Sequence, residues 1–476
     1  MSNSFAILSL IVALPFLGML FVFTAKDSKE IQGRNAFNVC VFTILVNITL
    51  IWRIFMIMNE KSNSLQLQET FNWLSTPDIN IIFAIDTFSL LLILSIHLAV
   101  LIGVFGVWRN SFKQKSLMVF TLLFLSMSTG FFVSADIFSF YIFFEAMLFP
   151  LFMIIGMFGE VKKQELIYRF FLYNFLGALL LFSAIMLIYH YYGSISLTKV
   201  GNLPLKGAMR NFIWGTIFLS FISRIPIWPF HYWISSINSS IRNPLAFIIT
   251  SLLPLTSIYG FIRFLPTAFS ADIDIYLVWM NIIGVVTMLF ISLIGFINKD
   301  FQYKIFSYIT VYYIMYLLGI FSNQKVVLLN IGYSLFSFIM IVSALEVLSS
   351  YIYHKEQEYE TVSQGFLCRT KKLSFVYSFL VIAAIGLPFS AIFVNNFLIL
   401  SKLLGTNIHI GMLLVFSLFV VGISLLQELS HLKREDSVCK ISKTDDIPWS
   451  MFFLMLFVIF MLLMSFIKPL WFVINE

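Results

Sequence analysis

Long apolar stretches recur from one end of this chain to the other, and they limit what it can fold into. A helix crossing the hydrocarbon core of a bilayer needs roughly 20 predominantly apolar residues. About fourteen stretches reach that length, near 4–24, 38–58, 87–108, 115–134, 137–158, 167–193, 211–230, 244–265, 275–298, 304–321, 326–350, 373–403, 411–428 and 449–474. They are numbered here as spans 1 to 14. None alternates apolar and polar residues as a barrel strand would, so each reads as a helix. The expected fold is an all-α polytopic membrane bundle. Composition agrees: of 476 residues, 60% are hydrophobic and 11% charged, and mean hydropathy is +0.95. A soluble domain of this length has too little interior for so much apolar surface.

The net charge of +7 is therefore a topology signal, and nucleic acid is not an expected partner. Loops after odd-numbered spans hold most of the Lys and Arg, among them Lys113, Lys162, Arg242, Lys299, Lys371 and Lys433. Basic loops stay on the cytoplasmic or matrix side. Both termini are then expected on the opposite side. Cys40, Cys368 and Cys439 show no metal or disulfide spacing. The first span lacks the basic flank of a cleavable targeting peptide.

Two spans look broken. Span 7 contains SRIPIWPFHYW, with Pro226 and Pro229, and span 12 contains AIGLPFSAIFVNNF, with Gly386 and Pro388. Proline removes a backbone donor and clashes with the preceding turn. In lipid such a break must be lined by protein or water. Two breaks five spans apart suggest an inverted repeat of spans 4–8 and 9–13. The expected organisation is 1–110 for spans 1–3, 111–266 and 267–430 for the two repeats, and 431–476 for a loop and span 14.

Few charged residues interrupt the spans. Glu145 lies mid-span in FFEAMLFPLFMIIGMFGE, five residues before Pro150. A carboxylate there is costly and faces the bundle, either as a neutral hydrogen-bonding group or as a protonatable site on an ion path. Arg224 opens the span-7 break, either as an interfacial anchor or as the cation that pairs with Glu145. His231 follows beside the two prolines and is a candidate cavity residue. His97 and His190 have no acidic neighbour and read as structural, Asp136 reads as a helix cap, and Glu346 reads as interfacial near the end of span 11.

These stretches resemble one family. FYIFFEAMLFPLFMIIGMFG looks like the fifth-span signature of subunit 4 of the proton-pumping NADH:ubiquinone oxidoreductase, respiratory complex I. SRIPIWPFHYW matches that family's seventh-span motif at Pro226, Pro229, His231 and Trp233. SIYGFIRF and GLPFSAIFVNNFLIL are similar to two later motifs, in the same order. The family also includes subunits of cation/proton antiporters. The resemblance implies a non-redox subunit that moves protons while NADH, FMN, iron–sulfur clusters and ubiquinone are bound elsewhere. It implies lipids and other membrane subunits of complex I, including antiporter-like ones, as partners. The expected location is the mitochondrial inner membrane, or a bacterial plasma membrane.

The departures matter as much. The family's span-7 Lys is met by Arg224, its span-8 Lys by Leu255 and its span-12 Glu by Asn396. The second His of the span-7 motif is met by Asn238, and the span-10 His falls near Tyr313. No Lys occurs between Lys206 and Lys299, and no Asp, Glu or Lys between Lys372 and Lys402. Arg does not release a proton, whereas a buried Lys does. The resemblance thus leaves two functions open: a proton-conducting module whose path runs through Glu145, Arg224, His231, Asn238 and Asn396, or a non-conducting scaffold of the same complex. A cation/proton antiporter subunit is a third reading.

Overall fold

The computed structural model describes residues 6–475 except 26–32, 59–64, 75–78, 108–112, 160–162, 193–206, 232, 234–236, 238–239, 269–272, 323, 360–365, 387, 389 and 435–445. Among these residues, twelve helices are long and apolar enough to cross a membrane. Spans 7 and 12, the two expected to be broken, are absent from that count. Span 7 runs as Gly207–Arg224 and then leaves the helix, while span 12 is split into Lys371–Ala384 and Ala391–Thr406.

Spans 5 and 8 cross as continuous spans in that count, but each is interrupted at one residue, Met147 and Leu252. Span 5 is split into Ile137–Ala146 and Leu148–Phe158, and span 8 into Pro244–Ser251 and Leu253–Ala268. One cause accounts for these breaks. A proline ring clashes with the carbonyl four residues earlier. Four residues before Pro150 is Ala146, before Pro254 is Thr250, and before Pro388 is Ala384. Each of these residues lies within the last two of its first helical piece.

The sequence reading omitted one element. Gln66–Leu74 and Ile79–Ile85 form a two-stranded antiparallel hairpin between spans 2 and 3. It clamps two helix starts. The Glu69 carboxylate accepts from the Leu8 and Ser9 amides at 2.7 and 2.9 Å and from the Ser9 hydroxyl. The first helix has no side-chain cap of its own, so the hairpin satisfies its free amides. Asp136 caps span 5 by accepting from Ser139 N at 2.7 Å, and it also accepts from Ile82 N of the hairpin at 2.8 Å.

Spans 5 and 10 both start at an Asp cap, Asp136 and Asp300. Alternating passage puts those caps on opposite faces, as an inverted repeat requires. Span 10, Phe301–Phe321, is buried at every residue from Lys304 onward. On the face of the hairpin, Arg263 donates to Asp86 at 2.7 Å and to Ser89 at 2.6 Å, tying span 8 to the start of span 3. Tyr259 of the same SIYGFIRF motif donates to the Phe132 carbonyl at 2.9 Å. The motif is thus a brace between spans 3, 4 and 8.

Candidate functional site

Helices that stop inside the bundle leave carbonyls without donors. In lipid these groups need partners from elsewhere in the protein, and at all four breaks a side chain supplies one. Arg224 Nη1 donates to the Phe144 carbonyl at 2.9 Å, in the last turn before the span-5 break. Trp233 Nε1 donates to Ser223 O at 3.1 Å at the span-7 break, where Ile227 N turns instead to Ile225 O. Tyr313 donates to Ser251 O at 2.9 Å at the span-8 break, because Leu255 N bonds Leu252 O. Tyr312 donates to Ala384 O at 3.0 Å at the span-12 break. The helical partner of that last carbonyl would be the nitrogen of Pro388, which carries no hydrogen.

The first break brings Glu145 and Arg224 together. Arg224 Nη2 lies 3.7 Å from Glu145 Oε2, with Arg224 fully buried and the Glu145 side chain 29% exposed. The guanidinium carbon sits 3.2 Å from the centroid of the Phe144 ring. Arg224 is therefore held by a carbonyl, a ring face and a carboxylate at once. It is not an interfacial anchor. Glu145 is held by Arg224 alone among the described residues, and it lies towards the exposed face that carries Ile142 and Phe149.

The other candidates are dispersed. His231 lies past the span-7 break against Phe290, with ring centroids 5.9 Å apart. Among the described residues no hydrogen bond or ion pair joins it to Glu145 or Arg224. Pro226 is buried and Pro229 exposed, both beyond the end of the Gly207–Arg224 helix. Asn238 lies outside the described residues. Leu255 is fully buried within the apolar core. Asn396 donates to the Tyr312 hydroxyl at 3.4 Å, and Asn395 beside it is fully buried. Gly386 has φ +80 at this break, a conformation that favours glycine.

Among the residues expected to be structural, His97 is buried and joins Asn47 at 3.0 Å and Ile93 O at 2.8 Å. Glu346 departs from expectation. It is fully buried, because its helix runs from Lys325 to Tyr359, 35 residues, well past the end of the apolar run. It belongs to a charged cluster missed by the sequence reading, with Arg242 and Asp300 paired at 3.0 Å and Lys304 and Glu428 at 2.7 Å. These partners come from four different spans or loops, so no local motif announces them. Among the described residues no three His, Cys, Asp or Glu side chains gather as metal ligands would.

Comparison with known proteins points one way. The family model described as "NADH:quinone oxidoreductase/Mrp antiporter, TM" matches residues 134–424, more than half of the chain. The chain is 25% identical over 434 residues to NADH-quinone oxidoreductase subunit M of Rickettsia prowazekii, covering 88% of this chain and 87% of that one. It is 26% identical over 427 residues to NADH-ubiquinone oxidoreductase chain 4 of Marchantia polymorpha, covering 86% and 83%. Its fold matches a chain of the respiratory complex I from Thermus thermophilus with TM-score 0.85 and 19% identity, covering 98% and 96%. A chain of the Mrp complex from Dietzia gives TM-score 0.77 and 17% identity, covering 91% and 81%.

Proposed function

Since this chain belongs to the family of NADH:quinone oxidoreductase and Mrp antiporter membrane subunits, we propose that it is the antiporter-like subunit 4 of respiratory complex I. On this reading it binds no redox group. NADH, FMN, iron–sulfur clusters and ubiquinone belong to other subunits, and this one couples their electron transfer to proton translocation. Its neighbours are other membrane-arm subunits and lipid, in the mitochondrial inner membrane or a bacterial plasma membrane.

The observation that carries the reading is the Glu145–Arg224 pair at a broken helix inside the bundle. Arg224 stays charged whatever the proton supply. Protonation of Glu145 alone therefore switches the pair between neutral and positive. Beyond the pair, the family's Lys and Glu positions hold Leu255 and Asn396, so protons pass there between hydroxyls, amides and water.

A second reading, a scaffold that keeps the fold without conducting, is favoured by the apolar burial of Leu255. The test is the proton-to-electron ratio of the whole complex in sealed vesicles, with and without Glu145→Gln. A conducting subunit loses protons per electron in the variant while the complex still assembles. An unchanged ratio supports the scaffold.

A further inference from the structure

All elements around the Glu346 cluster end on one face. The loops after spans 7 and 9, the end of span 11 and the end of span 13 all lie on the side of the Lys- and Arg-rich loops. Between them is a cavity of about 220 Å³ lined by Arg242, Asp300, Gln302, Ser349, Ser350 and Glu428 among others. Its lining carries both signs of charge and can hold water.

Glu346 stands one helical turn behind Ser349 and Ser350. Gln302 and Ser349 approach its carboxyl group, but neither of its oxygens has a partner in hydrogen-bond geometry. Gln302 Nε2 is committed to Ile241 O at 2.9 Å, which turns Gln302 Oε1 into a buried acceptor that also lacks a donor. Both Glu346 carboxyl oxygens and Gln302 Oε1 are thus buried without a hydrogen-bond partner. Buried polar groups are normally satisfied. A carboxyl group in such a place can take up a proton and donate it to a neighbouring acceptor.

The way onward is polar as well. Tyr377 is fully buried and its hydroxyl has no partner, and it lies within electrostatic range of Glu428 and Glu346. Tyr377 sits seven residues before Ala384, two turns up the same face of span 12. There Tyr312 and Asn396 meet the broken end. Tyr308 packs against Tyr312 with the rings tilted and their centroids 4.6 Å apart. A hydroxyl donates and accepts at once, so it can exchange protons without ionising.

We propose that this chain has a proton-collecting site on its basic face, in which Glu346 takes protons from the cavity and passes them along Tyr377 and Tyr312 to the break in span 12. The step is hydronium plus carboxylate giving water plus carboxylic acid, with no other reactant. The proposal rests on the proton-carrying reading above and assigns that function a second acid, distinct from Glu145.

The test uses the intact complex in sealed vesicles. Glu346→Gln should lower the proton-to-electron ratio, and Glu346→Asp should restore part of it, since a purely structural role would be met by the isosteric amide. In the native complex, dicyclohexylcarbodiimide, which reacts with protonated buried carboxyls, should label the peptide holding Glu346. That labelling decides the matter even where the Gln variant fails to assemble. A normal ratio in Glu346→Gln, or an unlabelled Glu346, overturns the proposal. Glu145→Gln measured in parallel separates the two claims: a loss there with none at Glu346 leaves the Glu145 reading standing and removes this one.

Discussion

Glu145→Gln and Arg224→Met, alone and combined, test how the central pair is held. At the 3.7 Å separation an effective dielectric of 20 gives an attraction of about 4 kcal/mol. Glu145 is 29% exposed, so water screens part of that, and about 2 kcal/mol is a fairer figure. Arg224 has other support. A hydrogen bond from a charged donor contributes about 1.5–3 kcal/mol, and a desolvated cation over an aromatic face about 2 kcal/mol. Those two terms exceed the screened ion pair. Removing the carboxylate charge should therefore leave Arg224 in place and the subunit assembled. Removing Arg224 strips the Phe144 carbonyl and Glu145 together, a loss of about 3–5 kcal/mol by analogy with other broken buried pairs. The assay is the temperature at which this subunit leaves the purified complex. Arg224→Met should lower it far more than Glu145→Gln, and the double variant should lose less than the two singles combined. Equal losses from the singles, or strict additivity, would refute the argument that carbonyl and ring hold the guanidinium.

Three further outcomes follow from the same structure. Lys113 and Lys371 should react with an impermeant amine reagent only from the matrix or cytoplasmic side, and labelling of either from the other face would overturn the topology. Gly386→Ala places a side chain at φ +80 and should cost about 1–2 kcal/mol, read as a lower dissociation temperature; no shift would mean the turn relaxes freely. Tyr313→Phe leaves Ser251 O without its donor and should cost about 1 kcal/mol, whereas the same change at the exposed Tyr191 should cost nothing measurable.

The spans were legible because apolar length is a local property. So were the breaks at Pro226, Pro229 and Pro388, where glycine, asparagine or a second proline stands near the first. Pro150 and Pro254 were in plain view too, yet apolar residues on either side made spans 5 and 8 read as continuous. The prolines make those two breaks, but the side chains that satisfy the carbonyls there come from far along the chain. Arg224 is 80 residues from Phe144, and Tyr313 is 62 from Ser251. No window along the sequence contains both members of such a pair. Glu346 was misplaced for the opposite reason: hydropathy stopped near residue 350, but the helix did not. The hairpin was hidden because LQLQETFNWL alternates only briefly and lies in an extramembrane loop.

Span 10 makes two of the four side-chain bonds to broken helices, and they point in opposite directions along the chain. Tyr313 holds the end of a helix that precedes span 10, at Ser251, while its neighbour Tyr312 holds one that follows it, at Ala384. Adjacent residues on a helix project about 100° apart, so a single rod grips both halves on different sides. A rotation of that rod by a fraction of a turn would loosen one grip as it altered the other. The two broken ends are thereby tied to one helix, so a displacement of that helix would reach the backbone at both.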